Sequence, residues 1–169
     1  MCSSDLLMQR ICLLLCLLTA SCSSKHHWSH SQLDSGSSQF SSTRLSHTLL
    51  DTPNRLQLEV IQTQDSCKGY LYVHSRPIPP IREDSALAKV YLTIKEERSF
   101  YLVTRHAGGH RLLLPDEALD SIVNALLEGE VVEISSAGYS STLSPKGFKQ
   151  EYSKFQSPSK LSNFLRLSL

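Results

Sequence analysis

Residues 89–114 read KVYLTIKEERSFYLVTRHAGGHRLLL, and the reading of this stretch decides the fold. Val90, Leu92 and Ile94 alternate with Lys89, Tyr91, Thr93 and Lys95, the period of a strand with one buried face. A short turn around Glu97, Arg98 and Ser99 leads into a second run, Phe100 to Thr104. Ala107, Gly108 and Gly109 then turn the chain into Arg111–Leu114. Connections this short permit only antiparallel neighbours, so the stretch is an antiparallel meander.

Toward the C-terminus the period changes to that of a helix. Pro115 suits the first helical position, Asp116 and Glu117 complement the positive end of the helix dipole, and Gly129 stops the run. Leu119, Ile122, Val123, Leu126 and Leu127 form one apolar stripe. Burying these side chains at about 1.5–3 kcal/mol each is the largest stabilising block readable from the sequence. Val131–Ile134 returns as a strand. Upstream, Leu56–Val60 and Tyr70–His74 alternate on either side of a turn at 64–69. Pro77, Pro79 and Pro80 keep residues 76–80 out of any sheet interior. Five to six strands and one packed main helix predict an α+β domain over residues 55–156, with the helix covering one face of a small antiparallel sheet.

Beyond the helix, Ser144-Pro145 and Ser157-Pro158 each have the pattern of an N-cap residue followed by proline at the first helical position. Phe148, Tyr152 and Phe155 share one helical face, as do Leu161, Phe164 and Leu165 in an amphipathic segment over 157–169. Lys146, Lys149, Lys154, Lys160 and Arg166 against Glu151 make this tail basic. Docking on the domain is its plainest role; a partner or an anionic membrane surface are the others.

The other end of the chain has a different character. From residue 22 to residue 54 Ser and His dominate, single apolar residues are scattered, and no period is sustained, so this stretch reads as a flexible tether. At about 5–6 Å × √n its reach is roughly 30 Å. Before it, Ile11–Ala20 is uncharged and follows Arg10. Ten helical residues rise about 15 Å, half of a roughly 30 Å hydrocarbon core, which fits a signal-peptide core and not a spanning helix. Asp5 is unusual in such a leader; a start at Met8 gives one without it.

Leu18-Thr19-Ala20-Ser21-Cys22 resembles the lipobox of bacterial lipoproteins, in which small residues precede an invariant cysteine. Ala20 and Ser21 match, whereas Thr19 stands where the family carries a branched apolar residue. The resemblance covers the leader, residues 1–21, and Cys22 alone. It implies a diacylglyceryl group on the Cys22 thiol, cleavage just before it, and a membrane-anchored, periplasm-facing mature protein. Ordinary leader cleavage after Ser21 is the alternative. In a Gram-negative source, Ser23 resembles an outer-membrane sorting signal.

Four of the five cysteines lie in the first 22 residues, which is not the even spread of a disulfide scaffold; Cys67 alone remains in the domain. Adjacent Lys68 favours its thiolate. Lys and Arg number 17 against 16 Asp and Glu, a balance that gives no electrostatic grip on nucleic acid. His26, His27 and His30 offer at most a weak, exchangeable metal affinity, and a polar tether is the plainer reading. His106 and His110 bracket the glycine turn and form a candidate metal pair with His74 as third ligand; exposed turn residues are the plainer reading. No nucleophile elbow, phosphate loop, dinucleotide fingerprint or zinc-protease motif occurs, so no catalytic residue and no cofactor is expected.

The strongest surface signal is aromatic. If Leu71, Val90 and Leu92 face the helix, Tyr70, Tyr72 and Tyr91 project from the opposite face. The same alternation, with Phe100 and Leu102 inward, sends Tyr101 and Arg105 outward to join them. Tyrosine with Arg and Lys is the composition of a recognition patch; burial under the C-terminal segment is the competing expectation. Together these features predict an exported lipid-anchored lipoprotein that serves the bacterial envelope as a binding or structural module, its partner an envelope protein or glycan. A metal-binding periplasmic protein built on His106 and His110 is the alternative.

Overall fold

Alternating burial marks most strands of the observed structure, a computed structural model that describes residues 28–33, 41–47, 55–81 and 86–157. The strands are β1 (Trp28–Leu33), β2 (Ser42–His47), β3 (Gln57–Gln62), β4 (Cys67–Tyr72), β5 (Leu87–Ile94), β6 (Glu97–Arg105) and β7 (Arg111–Leu113). Helix α1 (Asp116–Glu128) follows, then β8 (Val132–Ser136), β9 (Tyr139–Leu143) and helix α2 (Phe148–Gln156). The leader, Cys22 and most of the amphipathic segment expected over 157–169 lie outside the described residues.

The α+β expectation of five to six strands packed on one main helix is overturned. Among the described residues nine strands form one antiparallel sheet in the order β1-β2-β3-β4-β7-β6-β5-β8-β9, and with two short helices beside them the architecture is closer to all-β. Three strands account for the difference. β1 and β2 lie within the Ser-rich stretch read as tether, and β9 follows the two-residue turn Ala137-Gly138. β1 and β2 carry few apolar residues, but Trp28 and Leu45 are buried, and backbone pairing to each other and to β3 supplies the rest. Composition understates such strands because their backbone hydrogen bonds leave no trace in side-chain hydropathy.

One face of the sheet is concave and apolar. Leu45, Leu58, Val60, Leu71, Val90, Leu92, Val103, Leu112, Ile134 and Leu143 all lie on it, fully buried. The sheet curls until its two ends meet. Trp28 Nε1 at one edge donates to the Ser144 carbonyl just past the other, at 2.6 Å, and the Leu56 amide donates to Ser141 Oγ at 2.9 Å. No ladder joins β1 to β9 among the described residues; α2 spans the seam instead. Phe148 meets Trp28 edge-on at 4.7 Å, and His30 Nδ1 lies 2.6 Å from Glu151 Oε2.

Helix α1 begins one residue later than expected, with Pro115 as its N-cap, and ends in a left-handed Gly129. The Gly129 and Glu130 amides bond back to Leu126 and Ala125. Ala118, Leu119, Ile122, Ala125 and Leu126 are its buried face, whereas Leu127 is partly exposed. Leu119 packs so closely on β4 that Gly69 leaves just enough room for it. At the other end of the molecule the proline-rich connection folds inward. Ile78 is fully buried, its amide bonds Gly109 O, and Arg105 Nε holds its carbonyl at 2.6 Å. The Tyr139 hydroxyl donates to Arg76 O at 2.7 Å and receives the Arg76 amide at 2.8 Å, fastening this connection to β9.

Candidate functional site

The convex face of the sheet is polar at its margins and aromatic at its centre. On β4, Tyr70 and Tyr72 point outward between buried Gly69, Leu71 and Val73. Arg111 on β7 pairs with Tyr72, and its guanidinium lies 3.6 Å from the Tyr70 ring centroid and 5.3 Å from that of Tyr72. His106 adds a fourth plane, 6.0 Å from Tyr70. The guanidinium lies over the aromatic rings, a cation–π arrangement, with its Nε buried and without a hydrogen-bond partner among the described residues.

Below this cluster a buried carboxylate fixes the geometry. Glu59 on β3 is 6% exposed and is gripped by Arg44 Nε at 2.9 Å. It also takes a hydrogen bond from Tyr72. Burial together with this bond to Glu59 pushes the Tyr72 phenol up to about 12, against the opposing pull of Arg111 and Arg44. Tyr72 is therefore a locked, neutral donor at any physiological pH.

A second cluster lies on the β5–β6 hairpin. Lys89 Nζ sits 4.1 Å above the Phe100 ring and 5.1 Å from Tyr91, and Arg98 lies 4.2 Å above Tyr91. Phe100 is 56% exposed and Leu102 51%. Here the sequence expectation fails. Phe100 and Leu102 were expected inward; the structure turns them outward, and sends Tyr101 and Arg105 to the concave side. The cause is the turn. It falls at Lys95-Glu96, two residues at positive φ, so Ile94 pairs with Glu97 and Val90 with Tyr101. A turn centred on 97–99 places the opposite set on each face, because one residue of slip inverts a strand. Tyr101 packs against the core with its hydroxyl 3.4 Å from Ser121 Oγ, and Arg105 serves the Ile78 carbonyl.

His106 faces Tyr70, whereas His110 Nδ1 is 3.2 Å from Val73 O and His74 Nε2 is 2.9 Å from Gln57 Oε1. Among the described residues no group of three or more His, Cys, Asp or Glu side chains converges to hold a metal ion. His30 is engaged by Glu151; His26 and His27 lie outside the described residues. Lys68 turns from Cys67 to Asp116, at 2.9 Å. Burial, with the Asp116 and Asp120 carboxylates, pushes the Cys67 thiol up, so the thiolate expected from the Lys68 neighbour is not favoured.

Of the five candidate binding residues, the structure brings Tyr70, Tyr72 and Tyr91 to one face and removes Tyr101 and Arg105 from it. It adds Arg111, Arg98, Phe100, Leu102 and His106. Alternation could have supplied Arg111, which sits next to buried Leu112 and therefore faces the opposite side; its partner strand could not be read, since β7 pairs with β4 across the intervening hairpin. No protein-family model, curated protein or solved structure matches the chain.

Proposed function

We propose that the protein is an exported, lipid-anchored component of the bacterial envelope that binds another envelope component through the convex face of its sheet. The observation that carries the anchor is the run Leu18–Cys22; the cluster of Tyr70, Tyr72, Arg111 and Tyr91 supports the binding role. Two or three acyl chains, at about 0.8 kcal/mol per buried CH₂, hold a protein on a bilayer stably where one does not. Among the described residues no helix is long and apolar enough to cross a membrane. Attachment in this reading comes from Cys22, and recognition from rigid, pre-placed aromatic area that costs little entropy on binding.

Intact-mass measurement of the protein recovered from membranes tests the anchor. The expected mature chain begins at Cys22 with added lipid mass, and Cys22→Ser abolishes both the modification and membrane retention. A wild-type protein recovered free in solution with an unmodified thiol overturns the reading. For the face, Tyr72→Ala combined with Tyr91→Ala is expected to weaken co-purification of the envelope partner at least tenfold. Undiminished recovery removes the tyrosine face from the proposal.

A further inference from the structure

The sheet contains an internal edge. β6 pairs with β5 from Glu97 to Thr104, yet it pairs with β7 only at Thr104 and Arg105. β7 ends at Leu113, and the chain leaves the sheet through Leu114 and Pro115 into α1. From Glu97 to Val103, β6 has no strand on the side away from β5 among the described residues. Its backbone groups on that side bond to no other strand or loop among the described residues.

Proteins blunt such edges with proline, bulges or inward-pointing charge, or cover them. Here the stretch ERSFYLV carries none of these beyond the charges at its hairpin end, and its outward side chains Phe100 and Leu102 are more than half exposed. Main-chain donors and acceptors in a row beside exposed apolar side chains match one kind of ligand, another extended chain.

We propose that β6 accepts an extended segment of a partner protein by strand addition along Glu97–Val103. The inference rests on the convex face being the recognition surface, and it names the partner's form. The partner segment carries an apolar residue against Phe100 or Leu102 and an acidic one toward Lys89 and Arg98. Charge decides against a second copy of this chain. Neither Lys89 nor Arg98 has a carboxylate partner among the described residues; each lies over an aromatic ring instead. Self-pairing of two β6 edges gathers these cations from both copies along one seam, with no carboxylate on that face between them. An acidic strand satisfies them.

Amide hydrogen exchange on the full chain in detergent tests this, with the acetylated peptide Val-Glu-Val-Thr-Val-Thr-Val as probe. In the free protein, alternate amides of 97–103 exchange rapidly although their β5-bonded neighbours are protected. The peptide slows those alternate amides at least fivefold, and its twin with N-methylated alternate amides does not. Phe100→Ser combined with Leu102→Ser weakens the effect at least tenfold while the cooperative thermal transition is retained, since neither side chain is in the core. The proposal is overturned if the edge amides are already protected in the monomer, if the plain peptide leaves their exchange unchanged, or if the N-methylated twin acts equally. It is also overturned if protection rises with protein concentration alongside a doubled mass, which marks self-pairing. Tyr72→Ala leaves the peptide effect intact, so failure of the tyrosine face and failure of the edge are separately visible.

Discussion

Single residues set what the convex face can do. Tyr72 is placed between Glu59 and Arg111, and the burial and hydrogen bond that raise its phenol make it a stability term with a defined sign. The neutral form is favoured by folding, so its contribution is complete below the ordinary tyrosine value of about 10 and is lost as pH climbs toward about 12. Spectroscopic titration at alkaline pH should show one tyrosine ionising last, near that upper value, and Glu59→Gln should bring it down. Gly109 illustrates the opposite demand. It has φ +70°, and a Cβ there would run into the Arg105 guanidinium that holds the Ile78 carbonyl. Gly109→Ala should cost about 2–4 kcal/mol in urea unfolding, combining left-handed strain with displacement of Arg105. The outward placement of Tyr70, Tyr72 and Tyr91 was legible because alternation with Leu71, Val90 and Leu92 needs only local parity. Arg111 became part of the site through a long-range pairing that no local pattern reports.

At the scale of elements, the β5–β6 hairpin decided both the site and the main error. Hairpins with two-residue turns favour Asn or Gly, and Lys95-Glu96 offers neither, although both take positive φ. The turn was therefore displaced in the sequence reading, and with it the facing of every residue on β6. The ion pairs from Lys95 to Glu128 and Glu130, at 3.2 and 3.5 Å, help hold it in place. Glu96→Gly should relieve the left-handed strain and stabilise the protein by about 0.5–1 kcal/mol, measured as a rise in thermal midpoint. An unchanged or lower midpoint would mean the turn is not strained. Helix α1 was readable in both ends because proline and glycine at its termini have local physical reasons. β1 and β2 were not, because Ser, Thr and His side chains disclose nothing about backbone pairing to a distant β3.

For the whole molecule, closure depends on the seam where α2 lies against β1. Its polar clasp is Glu151, which takes Lys154 Nζ at 2.7 Å and faces His30 at 2.6 Å. The bond from Lys154, reinforced by His30, holds its carboxyl below the usual glutamate range despite an opposing effect of burial. A lowered value in the fold means that stabilisation is present above the ordinary glutamate pKa, about 4.3, and is lost as pH falls through the folded value. Acid below about pH 4 should therefore loosen α2 before the sheet, seen as early exchange of its amides, and Glu151→Gln should remove that acid sensitivity while costing about 1 kcal/mol at neutral pH. The burial of Trp28 at the same seam has a further consequence. Only six residue steps separate it from Cys22, a span of at most roughly 20 Å. If Cys22 carries the lipid proposed above, the fold would hang on a short mooring line, with its seam and basic Lys146, Lys149 and Lys154 near the headgroups. In that proposal the β6 side, halfway around the curl, would look outward from the bilayer.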